Sequence, residues 1–145
     1  MKKKYRIFGV IILFSFFSEI VYSQENFFDE AIEKYEKKNI SDSKFLFQKN
    51  IVFNPKHAKS YLYLAKIYNL EKNQKKEEKN LKTTLLLEPE NEEATYMLIN
   101  IELKKSNYSK VKELSEIFTK NCKNLCKKKD LILESLKNIE PKNES

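Results

Sequence analysis

The sequence predicts an all-α protein built from helical hairpins that repeat along the chain. Asn54-Pro55 and Glu88-Pro89 each end an apolar segment, and the two prolines are 34 residues apart. The apolar residues around them recur at helical spacing, and the only glycine, Gly9, lies near the N-terminus. Strands joined by tight turns favour hairpin-turn dipeptides such as Asn-Gly or Asp-Gly, which this chain lacks, so helices are the expected elements.

The first 23 residues have the layout of a secretory signal peptide. A basic segment, residues 2–6, precedes an apolar run over residues 7–17, and Val21 and Ser23 suit signal peptidase. We expect cleavage before Gln24 and an exported product in the periplasm, in the cell envelope or secreted. The run is shorter than the roughly 20 residues that a membrane-spanning helix needs. A retained anchor is therefore the weaker alternative, and we expect no stable transmembrane anchor after cleavage.

Removal of the signal peptide changes the charge of the chain. The full sequence carries 28 basic and 21 acidic residues, a formal +7. Residues 1–23 hold four of the basic and one of the acidic residues, which leaves 24 against 20, or +4. The remaining Lys and Glu are interspersed, as on the solvated faces of helices. Nucleic acid is therefore not an expected partner.

The second repeat gives the clearest internal pattern. Tyr61, Leu64, Ala65 and Tyr68 are spaced three, one and three residues apart. A small residue such as Ala65 lets a second helix approach closely, while the larger side chains fill the layer between helices. A turn at residues 71–74 then leads into the second helix of the hairpin.

This pattern and the 34-residue period resemble the tetratricopeptide repeat (TPR) family. The resemblance implies a right-handed superhelical array of about three hairpins plus a C-terminal capping helix. The expected repeats cover about residues 24–55, 56–89 and 90–122. Tyr35 aligns with Tyr68 only if the turn at residues 37–39 is one residue shorter, so the register of the first repeat stays open. An unrelated bundle of amphipathic helices is the alternative.

The resemblance also implies a concave groove, lined by the first helix of each hairpin, that binds a protein or peptide partner. Carried over to this sequence, the groove positions are Phe28, Ile32, Tyr35, Lys59, Leu62, Lys66, Asn69, Glu93, Tyr96, Asn100 and Leu103. The clamp that some family members use for carboxylate tails does not carry over, because Phe28 and Ile32 replace its first Lys and Asn. The groove positions combine apolar and aromatic side chains with amides and two lysines, a surface that suits an amphipathic peptide better than a purely acidic one.

Cys122 and Cys126 mark the point where a third proline, expected at position 123, is missing. Two cysteines in an exported protein most often form a disulfide, and here it would close a turn. Residues 123–140 are expected to form this turn and the capping helix, with Leu125, Ile132, Leu136 and Ile139 on its apolar stripe. Residues 141–145 are expected to be a disordered tail.

No catalytic apparatus is apparent in the sequence. The chain after Gly9 has no glycine for a phosphate-binding loop, and His57 is interpreted as a solvated loop histidine. We expect no enzyme activity, no cofactor and no metal. Two other functions remain open. One is a self-associating structural component, a homodimer joined through an aromatic N-terminal face. The other is a polyanion-binding module using Lys72, Lys75, Lys76 and Lys79.

Overall fold

A computed structural model describes residues 27–141, which divide into two compact units at Pro55 and Lys56. The predicted signal peptide and residues 142–145 lie outside the described residues. No strand occurs among the residues described, and the all-α prediction is confirmed. None of the helices within residues 27–141 is both long and apolar enough to span a bilayer.

The first unit contains one helical hairpin. Residues 27–36 form helix α1, and Ile40–Phe53 form α2. Ala31 and Phe47 are fully buried, and the Ser43 hydroxyl of α2 donates a hydrogen bond of 2.9 Å to the Ala31 carbonyl. The small residue predicted at position 31 therefore lies where the second helix approaches the first.

The second unit contains two hairpins and a final helix. Its helices are α3 (Ala58–Leu70), α4 (Gln74–Leu87), α5 (Glu92–Lys104), α6 (Tyr108–Asn121) and α7 (Lys129–Asn138), with a short 3-10 helix (Cys126–Lys128) before α7. Each helix packs against the next along the chain, and α7 contacts both α6 and α5. Ala65, Leu81, Leu98 and Phe118 belong to one buried core cluster.

The turn inside each hairpin has the same construction. Lys38, Lys72 and Ser106 adopt left-handed backbone conformations, with φ of 60°, 55° and 53°. The next residue in each case is an asparagine whose side chain accepts a hydrogen bond from the backbone N–H three residues later. Asparagine is a favoured N-cap because it satisfies one of the unpaired amides at a helix start.

These turns recur every 34 residues, which settles the register of the first repeat. The turn at residues 37–39 has the same length as the other two. Ala31 therefore corresponds to Ala65, and Tyr35 corresponds to Asn69 rather than to Tyr68. The one-residue-shorter turn is not found.

The connections between hairpins also follow the period. Asn54 and Glu88 end α2 and α4 in non-helical conformations, with ψ of 78° and 83°. Each precedes a proline, which disfavours the α-helical region for the residue before it. His57 then caps α3, because its Nδ1 accepts the Ser60 backbone N–H at 3.3 Å. The interpretation of His57 as a solvated loop residue was wrong: it is half-buried and serves as an N-cap.

The final helix closes the core on the α5–α6 side. Ile132 is 3% exposed and belongs to the core cluster. Leu125, Leu136 and Ile139 are partly buried against it, so all four residues of the predicted stripe pack inward. The Cys122 and Cys126 sulfur atoms lie at bonding distance, 2.11 Å, with their Cα atoms 5.2 Å apart.

Candidate functional site

The predicted groove residues lie on the first helices of the hairpins. Helix α1 carries three of them in the first unit, while α3 and α5 carry the other eight in the second unit. In the first unit Phe28, Ile32 and Tyr35 are all half-buried. The Phe28 ring lies 5.7 Å from the Phe47 ring, so this side chain also packs within its own hairpin.

An ion pair joins the groove residues of α3 to those of α5 in the second unit. Lys66 Nζ of α3 lies 2.8 Å from a Glu93 carboxylate oxygen of α5, and the same ammonium lies 4.6 Å from the centre of the Tyr63 ring. The sequence placed Lys66 and Glu93 on one surface without predicting that they pair. A partly exposed pair of this kind stabilises a fold by about 0–1 kcal/mol, so a ligand can displace it at little cost.

Two of the predicted positions are occupied in packing or bonding inside the unit. Leu62 is 6% exposed and belongs to the core cluster, which removes its side chain from the accessible surface. Asn69 is exposed, but its side-chain amide donates to the buried Glu77 carboxylate at 2.9 Å. Lys59, at the start of α3, is exposed.

The α5 positions keep part of their surface accessible. Tyr96, Asn100 and Leu103 are half-buried on this helix. The Tyr96 ring lies 6.0 Å from the Phe118 ring, and Lys128 Nζ lies 5.8 Å from the centre of the Tyr96 ring. Lys128 comes from the 3-10 helix before α7, beyond the last repeat, so the repeat pattern contained no signal for it.

We call the surface formed by Lys66, Glu93, Tyr96, Asn100 and Leu103 the α3–α5 face. It combines an aromatic ring, a leucine, an amide and an ion pair. An amide side chain can donate and accept at once, which suits hydrogen bonding to a peptide backbone. The half-buried Tyr96 and Leu103 supply apolar contact area beside it. Such a surface can bind a peptide.

A second arrangement, which the sequence did not reveal, lies at the disulfide. The Glu92 carboxylate, in the first turn of α5, accepts backbone N–H groups from Lys123 at 2.7 Å, Asn124 at 3.0 Å and Leu125 at 3.1 Å. The Asn124 side-chain amide donates a further bond of 3.0 Å. Three consecutive amides of the ring closed by Cys122 and Cys126 therefore converge on one carboxylate.

Two opposing effects act on the pKa of Glu92. Desolvation of the carboxyl group raises its pKa, but the backbone hydrogen bonds from Lys123, Leu125 and Asn124, together with the Asn124 side chain, outweigh it and lower the pKa. The charged form is thus favoured in the folded protein. Glu92 fastens the segment before α7 to the start of α5.

Charged residues on α4, on α5 and at the residue that follows α5 form another network. Lys105 Nζ lies 2.7 Å from Glu78 and 3.1 Å from Glu102, which links the second and third repeats. Hydrogen bonds from Lys105 and Lys82 lower the pKa of Glu78.

The four lysines considered for polyanion binding are all exposed, and Lys76 Nζ lies 5.3 Å from the centre of the Tyr68 ring. Glu78 lines one surface pocket together with Lys75 and Lys79, so a carboxylate lies among these ammonium groups.

Comparison with known proteins gives structural relatives only. No protein-family model and no curated protein matches the chain. The type III secretion chaperone SycD of Yersinia enterocolitica, solved with a peptide of the translocator YopD, gives a TM-score of 0.67 at 13% identity. That match covers 81% of this chain and 92% of SycD.

Two further structures are similar. The TPR domain of Sgt2 from Aspergillus fumigatus has a TM-score of 0.63 at 12% identity, over 85% of this chain and 87% of that domain. The CopN–Scc3 complex includes a chain with a TM-score of 0.64 at 18% identity, over 77% of this chain and 67% of that chain. The 34-residue hairpin period and these similarities agree: the protein has a TPR-like fold, an all-helical array of hairpins.

Proposed function

We propose that this protein is a non-enzymatic interaction scaffold of the periplasm or cell envelope that binds a peptide or protein segment on its α3–α5 face. The observation that carries the proposal is the Lys66–Glu93 pair, which lies beside the half-buried Tyr96 and Leu103. Charged, aromatic and apolar groups thus occupy one surface at the predicted ligand positions. The fold adds support, because SycD was solved with a bound peptide.

The ligand that this face favours is amphipathic. Tyr96 and Leu103 offer apolar contacts, while Asn100 offers hydrogen bonds to a backbone. Lys66 and Glu93 carry opposite charges, so neither a strongly acidic nor a strongly basic peptide gains from both. Specificity then depends on the apolar anchors more than on net charge.

The test compares matched variants of the purified protein. Tyr96→Lys and Asn100→Lys place a charge on the α3–α5 face, and Leu86→Lys places the same charge at an 81% exposed position on α4. Each is used for affinity capture from envelope extract, and a captured protein is then titrated as purified material. We expect affinity to fall at least about tenfold with both face variants and to stay unchanged with Leu86→Lys.

Thermal unfolding separates loss of binding from loss of folding. Asn100→Lys is the decisive variant, because Tyr96 also packs on Phe118. Equal binding by all three variants, or no specific binding by the unmodified protein, would overturn the proposed function.

The proposed compartment has its own test. Signal-peptide cleavage before Gln24 gives a mature mass that intact-protein mass spectrometry of envelope and medium fractions can measure. A full-length species that retains Met1 to Ser23 would refute cleavage, and recovery from the cytoplasm alone would refute export.

Self-association is a second candidate function, favoured by one observation on α2. Phe45 is 63% exposed and Val52 is 76% exposed, and their separation of seven residues places both on one face of α2. Sedimentation at high micromolar concentration tests this alternative. A strictly monomeric protein would exclude it.

A further inference from the structure

Helix α7 keeps the 34-residue register of the hairpins before it. Ile132 corresponds to Leu98 and Leu64, and all three are at most 3% exposed. Helix α7 also packs against α6 and α5, as the first helix of a further hairpin would. Helix α7 is therefore equivalent in position to α3 and α5, the first helices of the two hairpins before it.

One position departs from this equivalence. Leu133 is 48% exposed, whereas the corresponding Ile99, Ala65 and Ala31 are all fully buried. In the first hairpin this position lies against the second helix, because Ser43 of α2 bonds the Ala31 carbonyl. Within residues 27–141 no second helix packs on α7 in this way. Leu133 is exposed at the place where the repeat would seat a helix.

A groove of about 490 Å³ lies at this place, between α6 and α7. Leu133 and Leu136 form its apolar part on α7. Lys112, Glu116 and Lys120 line it from α6, all exposed and spaced by four residues. Residues four apart lie on one helix face, so the three charges form a row about 12 Å long with the order positive, negative, positive.

We propose that the α6–α7 groove docks an amphipathic helix of a partner protein, which completes a fourth hairpin. The repeat register argues for a helix, since each earlier hairpin places one against the equivalent position. The apolar stripe of the partner contacts Leu133 and Leu136. The charge row on α6 selects the charged side chains that lie beside the apolar stripe of the partner helix. Acidic side chains of the partner face Lys112 and Lys120, and a basic side chain between them faces Glu116. This site is separate from the α3–α5 face.

The probes are two synthetic helices of about 18 residues, long enough for measurable helicity. Both carry the same leucine stripe; one has a flanking Glu-Lys-Glu row at four-residue spacing, and the other has Lys-Glu-Lys. Binding to the purified, oxidised protein is measured by fluorescence anisotropy. We expect at least about tenfold tighter binding of the Glu-Lys-Glu helix, because like charges placed opposite one another disfavour the other probe.

Variants with a matched control assign the site. Leu133→Lys should weaken binding at least about tenfold, while Leu131→Lys, at a 54% exposed position on the same helix, should change it less than about twofold. The pair Lys112→Glu and Lys120→Glu removes the charge order on α6 and should reverse the preference between the probes. Since these positions are exposed, the variants are expected to remain folded.

Several outcomes would overturn the proposal. They are equal binding of the two probes, no binding, or equal damage from Leu131→Lys and Leu133→Lys. If the protein is a dimer that Leu133→Lys converts to a monomer, a second copy occupies the groove and the partner helix is excluded. Asn100→Lys should leave probe binding unchanged, so failure here is distinguishable from failure of the proposed α3–α5 function.

Discussion

The hydrogen bonds between the Glu92 carboxylate and the disulfide ring give the most specific stability prediction. Replacing Glu92 with Gln keeps the size of the side chain but removes the charge that three ring amides share. Hydrogen bonds to a charged acceptor contribute about 1.5–3 kcal/mol when shielded from water. Partial exposure reduces this, so we expect Glu92→Gln to lower the free energy of unfolding by about 1–2 kcal/mol.

Opening the ring has an independent cost. The bond between Cys122 and Cys126 spans a sequence separation of four, and the loop-entropy relation gives about 2 kcal/mol for so small a ring. Without the disulfide, the three amides are no longer held in one orientation, so replacing Glu92 removes weaker hydrogen bonds. The two changes should therefore couple, with a combined effect about 1 kcal/mol smaller than their sum.

A double-mutant cycle measures this coupling. Urea unfolding followed by circular dichroism is performed on the unmodified protein, on Glu92→Gln, on the double Cys→Ser variant and on the combination. Glu93→Gln is the matched control, because it neutralises the adjacent carboxylate, whose partly exposed pair with Lys66 is worth at most about 1 kcal/mol. Additivity within about 0.3–0.5 kcal/mol, or equal effects of Glu92→Gln and Glu93→Gln, would refute the reasoning.

Three other measurements test the same account of the fold. The pKa of Glu92 is lowered from 4.5, so the contribution of its charge to stability is complete above pH 4.5 and is lost as the pH falls through the folded-state pKa. Glu92→Gln should therefore flatten this part of the acid-unfolding profile. An unchanged profile would contradict this account of Glu92. Lys72→Gly relieves a φ of 55° and should raise the free energy of unfolding by about 0.5–1 kcal/mol in urea, whereas a decrease would show that the lysine is not strained. Reduction of the disulfide should speed hydrogen exchange from about Val111 onward but not around residues 61–68; uniform acceleration would argue against local coupling.

The periodic parts of the fold were predictable because each depends on neighbours in sequence. Pro55 and Pro89 restrict the residue before them, and that restriction alone ends a helix. Ala65 could be assigned from its spacing to Leu64 and Tyr68, and it is fully buried. The turns were placed correctly, although a left-handed residue that is not glycine gave no strong signal at Lys72.

The unpredicted features depend on residues that are distant in sequence. Glu92 bonds amides more than 30 residues away, and before the fold is known it is one of two acidic residues in the first turn of a helix. Leu62 occupies a groove position in the repeat pattern, but packing in the core of the second unit buries it. Ligand contact at the predicted groove positions stays a prediction.

The missing third proline has a physical consequence that can be tested. Lys123 occupies the position of Pro55 and Pro89 in the 34-residue register, and its backbone N–H makes the shortest bond to Glu92, at 2.7 Å. Proline has no N–H to donate. The backbone of Cys122, with φ −64° and ψ 139°, already suits a following proline, so Lys123→Pro removes the amide without forcing this residue into a new conformation.

Restoring the repeat pattern should therefore destabilise this protein. We expect Lys123→Pro to lower the free energy of unfolding by about 1 kcal/mol, while Lys123→Ala, which keeps the amide, should change it by less than about 0.5 kcal/mol. In the Glu92→Gln background the difference between proline and alanine should shrink, because the charged acceptor is gone. Urea unfolding of these variants decides the matter. A neutral or stabilising Lys123→Pro would mean that the Lys123 amide contributes nothing, and that the chain lacks the third proline for a reason unrelated to Glu92.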